Sequence, residues 1–132
     1  LVLSAAHWNP PAHLDWTKDT KRVFRRRRVL DLPVSTLMQD KGFTDVYRMV
    51  HPDPVHHPGI TWSPMFRGTK EKEQGFDRID RLYLHEHSPS WKLEPVSTVV
   101  YPEVWEDDLI AVPDRIFPSD HSAVLLEMKF VE

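Results

Sequence analysis

Apolar positions fall into short runs separated by proline-rich connections, and the runs predict a chain of strands with a few helices. Ser122–Val131, reading Ser-Ala-Val-Leu-Leu-Glu-Met-Lys-Phe-Val, is the clearest strand. Lys92–Tyr101 carries Val96, Thr98, Val99 and Val100 and is another, and Phe76–Leu84 alternates, with its core at Arg78–Leu84. Ile60–Trp62 is a short strand candidate. Leu1–Ala5 reads as a strand with no polar lead-in, an expectation of a natural polypeptide that starts earlier. The next segment, His7-Trp8-Asn9-Pro10-Pro11, is expected to be a loop, because two prolines fit neither a ladder nor a helix.

Helical spacing of Val34, Leu37 and Met38 predicts a helix over Leu32–Lys41, with Asp31 as N-cap, Pro33 in the first turn and Gly42 as the stop. Asp15–Arg28 is polar and weakly periodic, with room for a short helix. Phe43–Val50 reads either as a second short helix or as irregular chain. His51–Pro58 is a loop, and the charged run Arg67–Gln74 an exposed excursion. The pattern predicts an α/β (α+β) fold with a mainly antiparallel sheet, one face covered by the Leu32–Lys41 helix.

Composition narrows the function classes. The 132 residues make one domain, 40% hydrophobic and 28% charged. No apolar run approaches the ~20 residues of a membrane span. A net charge of −3 gives no overall electrostatic case for nucleic acid, although Arg25–Arg28 forms a local basic run, either a solvated face or a patch for phosphate or an acidic partner. The absence of cysteine excludes disulfides, thiolate metal sites and cysteine nucleophiles. No signal peptide is visible. Twelve prolines against four glycines favour rigid connections.

Three segments carry candidate chemistry. Phe117-Pro118-Ser119-Asp120-His121-Ser122 places an Asp-His pair on a turn before the last strand, where a carboxylate can hold a cation and an imidazole can move protons. In Phe76-Asp77-Arg78-Ile79-Asp80-Arg81-Leu82, Asp80 interrupts a strand. It is either salt-bridged to Arg78 or Arg81, or holds a catalytic histidine in one tautomer. Gly59-Ile60-Thr61-Trp62-Ser63-Pro64 suggests a bend with an aromatic wall, although Trp62 taken alone reads as a core residue rather than a ligand contact.

In this order the three segments resemble the C-terminal half of the endonuclease/exonuclease/phosphatase superfamily. Asn9-Pro10-Pro11-Ala12-His13-Leu14-Asp15-Trp16-Thr17 resembles that family's Gly-Asp-x-Asn segment and its continuation. Pro33-Val34-Ser35 and Gly42–Arg48 also fit. The resemblance spans residues 1–132 and implies half of a two-sheet β-sandwich flanked by helices. It implies phosphoester hydrolysis assisted by Mg²⁺ or Mn²⁺, with a water attacking in line. By the same resemblance, His121 is the catalytic histidine, Asp80 orients it, Asn9 contacts the phosphoryl group or the water, and Asp120 serves the metal; the aromatic wall makes Trp62 the candidate substrate contact. A secreted or extracytoplasmic setting is implied by the phosphatase-like branches. The substrate stays open among nucleic acid, nucleotide, sphingolipid, inositol phosphate and sugar phosphate.

Two departures qualify this. The family's Gly-Asp-x-Asn reads Ala6-His7-Trp8-Asn9, so His7 stands where an acid usually positions the nucleophile. The family's N-terminal half, with its Asn and metal-binding Glu, has no counterpart in this sequence. The expected partner is therefore that missing half, a second chain or a second copy, and hydrolysis is expected of the parent protein, not of the isolated chain. The alternative function is an interaction or structural module that kept the fold and lost the chemistry. A zinc site built from His85 and His87, or from His56 and His57, is a weaker rival, because three or four convergent ligands are needed.

Overall fold

The computed structural model describes residues 1–23, 29–62, 77–86, 90, 92–101 and 119–131. Its elements are β1 (Val2–His7), α1 (Lys18–Val23), α2 (Pro33–Asp40), β2 (Thr44–Asp45), α3 (Val46–Val50), β3 (Asp80–His85), β4 (Lys92–Tyr101) and β5 (Ala123–Val131). They form two antiparallel sheets with helices, the mixed α/β class expected. One sheet has the order β1-β3-β2, and the other pairs β4 with β5.

The strands follow the apolar runs with informative shifts. β1 extends past Ala5 to His7, because its register with β3 runs from Val2 opposite His85 to His7 opposite Asp80. His7 is thus a strand residue and not part of the expected loop. β3 begins at Asp80, two residues after Arg78. The expected strand Ile60–Trp62 shrinks to bridges made by Trp62 to Asp77 and to His121. β4 and β5 lie where the β-branched runs predict, with the register shifting between Pro95 and Ser97. Proline has no N–H for the ladder, so an irregularity at Pro95 has a local cause.

The helices depart more. Asp31 is not the N-cap: the helix starts at Pro33, Leu32 takes the cap position, and no side chain caps it. Proline at the first turn tolerates this, since its missing N–H is one that a helix start leaves unpaired. Gly42, at φ 82°, ends the helix as expected. The helix does not present Val34 and Leu37 to the sheet, for both are exposed and Ser35 is the buried residue. Ser35 is drawn in by polar contacts: its Oγ accepts from the His13 backbone N–H at 2.8 Å and donates to Leu32 O at 3.1 Å. The helix packed on both sheets is α3, which lies against β3 and β4. Asp45 caps it by accepting from the Arg48 N–H at 3.3 Å. The Arg25–Arg28 run and the Arg67–Gln74 excursion lie outside the described residues. Among the described residues no helix is long and apolar enough to cross a membrane.

The core is part hydrocarbon and part ion network. Val46, Tyr47, Ile79, Tyr83, Leu84 and Val100 are buried, and so are Asp15, Asp45, Arg48 and Arg78. Arg78 grips Asp45 in a bidentate pair, Nη1 to Oδ1 at 2.9 Å and Nη2 to Oδ2 at 2.6 Å, and donates Nε to Asp15 Oδ2 at 3.1 Å. Arg48 donates to Asp15 Oδ1 at 2.7 Å and to the carbonyls of His51, His57 and Pro58. Each of these four charges therefore has an opposite charge and directed hydrogen bonds, the condition under which burial is tolerated. Burial pushes the Asp45 carboxyl up, but the charge and hydrogen bonds of Arg78 outweigh it and hold it below its usual range.

Candidate functional site

The site forms where the end of β1, the start of β3 and the entry to β5 converge. Antiparallel pairing sets His7 opposite Asp80, and directly opposed residues project to the same face. His7 Nδ1 lies 3.2 Å from Asp80 Oδ1. The bridge from Trp62 to His121 brings in the third group. His121 Nδ1 lies 2.7 Å from Asp80 Oδ2. One carboxylate thus serves two imidazoles, one through each oxygen. The rings meet edge to face, centroids 4.9 Å apart at 75°. Side-chain exposures are 47% for His7, 23% for Asp80 and 25% for His121, so the cluster is open to solvent on the His7 side.

Thr61 organises the backbone beneath this cluster. It is fully buried. Its Oγ1 accepts from the N–H groups of both Ile79 and Asp80 at 3.1 Å. Its backbone N–H donates to Asp77 O at 3.1 Å, and its carbonyl accepts from the Ser122 N–H at 2.9 Å. One residue therefore ties the approach to β3 to the approach to β5 and sets the spacing of Asp80 and His121. Asp77 takes part as well, accepting from Trp16 Nε1 at 2.7 Å. Ser119 Oγ accepts from the His121 N–H at 3.0 Å and shapes the turn that delivers the histidine.

The sequence-derived site residues separate into two groups. Asp80 and His121 come together as expected, and Asp80 does not take either salt bridge with its arginine neighbours. Arg78 turns instead to Asp15 and Asp45, and Arg81 donates to the carbonyls of Pro10 and Arg78. The Trp62 ring lies 4.8 Å from the His121 ring, inclined by 57°, so it walls the site while half-buried. Asn9 and Asp120 sit at the same end of the fold, two residues after His7 and one before His121. Both are exposed, and neither belongs to the His7–Asp80–His121 donor cluster. Asn9 also has a backbone role, holding a left-handed φ of 64° that asparagine tolerates better than most residues. His7 joins the site where the family pattern has an acid. The signal for this is its register opposite Asp80, and sequence spacing alone does not supply it.

As a carboxylate, Asp80 only accepts hydrogen bonds, so it favours the tautomer in which each Nδ1 carries the proton. Each Nε2 is then an unprotonated nitrogen, able to take a proton or bind an electrophile. The His85 and His87 alternative has His87 outside the described residues. His56 is engaged with Asp53, Nδ1 to Oδ2 at 2.6 Å.

No family model matches the chain, and no solved structure matches it. An uncharacterized protein of Caenorhabditis elegans is 30% identical over 137 residues, covering 98% of this chain and 41% of its own length. The chain therefore spans well under half of the curated relative that it matches.

Proposed function

We propose that the chain carries the histidine–aspartate part of a phosphoester hydrolase site. In this reading His121 moves a proton at the reacting phosphoryl centre and Asp80 keeps its ring in the productive tautomer. The observation that supports it is the 2.7 Å contact between His121 Nδ1 and Asp80 Oδ2. A hydrogen-bonded carboxylate stabilises the imidazolium formed when Nε2 takes a proton from water. The open side at His7 admits solvent and substrate, and Trp62 provides an apolar wall. Asn9, at the exposed end of β1, is positioned to contact a phosphoryl oxygen in this reading.

The resemblance implies Mg²⁺ or Mn²⁺, and the described donor cluster fits neither well. Mg²⁺ demands six near-octahedral oxygens, and Mn²⁺ shares its preference for carboxylate and water, whereas two of the three clustered donors are imidazoles. The proton transfer proposed for His121 and the orienting role of Asp80 need no ion. A second reading, the module that keeps the fold and hydrolyses nothing, is favoured by His7 in place of the acid.

Hydrolysis of an aryl phosphodiester and an aryl phosphomonoester by the chain supplied with the missing N-terminal half, with and without divalent ions, tests the two readings. The hydrolase reading expects turnover that His121→Ala lowers by about 10²–10⁴-fold. Asp80→Asn lowers it too, because an amide no longer enforces the Nδ1–H tautomer. Absence of turnover in the unmodified protein, or turnover indifferent to His121→Ala, overturns the hydrolase and leaves the module.

A further inference from the structure

We propose that His7, Asp80 and His121 form a three-donor site for a borderline divalent ion of the zinc class, discriminating against Mg²⁺. One ligand atom from each residue lies within 4.8 Å of the other two. Zinc takes nitrogen and oxygen at ~2.0–2.1 Å, which places tetrahedral donors roughly 3.3 Å apart. The 3.2 Å from His7 Nδ1 to Asp80 Oδ1 is already at that separation. The 2.7 Å from His121 Nδ1 runs to the other oxygen, Asp80 Oδ2, and is a hydrogen-bond distance; an ion that takes one oxygen of Asp80 requires the His121 ring to draw back from Oδ2 by a fraction of an ångström.

The donors stand on a frame that resists collapse. His7 and Asp80 are locked by strand register, and Asp80 and His121 are spaced by Thr61. Two imidazoles and one carboxylate are a donor set suited to zinc and its neighbours, while Mg²⁺ is poorly served by nitrogen. With three protein ligands and the half-exposed His7 side chain at the rim, solvent supplies the fourth position.

Occupancy has a chemical consequence. Coordination through Nδ1 requires the tautomer with its proton on Nε2, so the ring keeps one proton but Nε2 is no longer basic. The nitrogens that bind Asp80 by hydrogen bonds are those that would bind the ion. Ion binding and proton transfer by His121 therefore exclude one another, and zinc-class ions inhibit the hydrolysis. This inhibition rests on the hydrolase reading, whereas the binding site does not.

Calorimetric titration of the full chain with ZnCl₂, and separately with MgCl₂, tests the site. The expected result is one Zn²⁺ per chain and much weaker Mg²⁺ binding. His7→Gln and His121→Gln each weaken Zn²⁺ binding by at least about tenfold, with folding checked by circular dichroism. The paired His56→Gln and His57→Gln substitutions leave it unchanged. Co²⁺ in place of Zn²⁺ gives visible bands of a low-coordinate nitrogen–oxygen site that disappear in His7→Gln. No stoichiometric Zn²⁺ binding, equal affinity for Mg²⁺, or full Zn²⁺ affinity in His7→Gln overturns the proposal. Turnover without Zn²⁺ binding removes this site and leaves the hydrolase. Zn²⁺ binding without turnover removes the hydrolase and leaves the site.

Discussion

At the scale of single residues, the geometry of the site depends on a hydroxyl as much as on its titrating groups. The side-chain oxygen of Thr61 accepts from two consecutive backbone N–H groups, those of Ile79 and Asp80. Thr61→Val keeps the shape and removes the acceptor, leaving the buried Ile79 N–H without it. The expected cost is about 1–3 kcal/mol, read as a lower urea midpoint at an unchanged slope. An unaltered midpoint would show that the backbone at Asp80 is held by other means. The pairing of Asp80 with His121 was legible in the sequence, because the motif order brought both residues to strand starts. The part played by His7 was not. It depends on β1 running two residues past Ala5, and strand ends are where sequence patterns are least sharp. Nor was Thr61 legible as a hub, since a buried threonine in a short apolar run gives no sign of which N–H groups will meet its oxygen.

At the scale of elements, β4 and β5 were readable because β-branched residues crowd both segments. The place of α2 was readable too, Pro33–Asp40 lying inside the expected Leu32–Lys41, but its packing was not, because periodicity reveals that a helix has a face without naming its neighbour. In α2 the apolar Leu37 is 57% exposed while Ser35 is pinned inward by His13. The five-residue α3 holds the sheets together instead, and it is anchored by ions. Its stability should therefore depend on pH with a sign that can be worked out. The charge and hydrogen bonds of Arg78 hold the Asp45 carboxyl below the usual carboxylate range in the folded protein, against the opposing effect of burial. Such a group contributes its full stability above the unfolded value and loses it as pH falls through the folded value. Thermal unfolding should thus show a melting temperature that declines as pH drops below about 4. Arg78→Met removes the main opposing charge and leaves burial to raise the Asp45 carboxyl. The variant should lose about 3–5 kcal/mol near neutral pH and regain part of it on mild acidification, the opposite slope. Parallel pH profiles for the two proteins would show that the Arg78–Asp45 pair does not control the acid response.

At the scale of the whole molecule, the described surface is more apolar than an isolated sheet edge tolerates. Among the described residues β1 is an edge strand of the order β1-β3-β2, and Leu1, Val2 and Leu3 are all exposed, so both faces of its beginning meet solvent. On the other sheet, Val99 and Leu125 face each other across the β4–β5 pair, both exposed, with Tyr101 alongside and Phe130 at 73% exposure. An uncharged apolar edge strand offers unpaired N–H and C=O groups to another chain, and apolar patches of this kind mark association surfaces. A net charge of only −3 supplies little repulsion to prevent it. For the chain of 132 residues alone, the expected outcome is self-association through the β1 edge. Sedimentation velocity from low to high micromolar concentration should give a rising average mass. Leu3→Lys places a charge on the exposed edge and should shift the distribution toward monomer, the way natural edge strands are kept apart. Val99→Lys tests the other sheet, and a larger effect there would move the contact from β1 to the β4–β5 face. A single monomeric boundary at every concentration would mean that the exposed residues of β1 tolerate water without a partner. It would also remove the physical reason for expecting a second copy or a missing half to complete the fold.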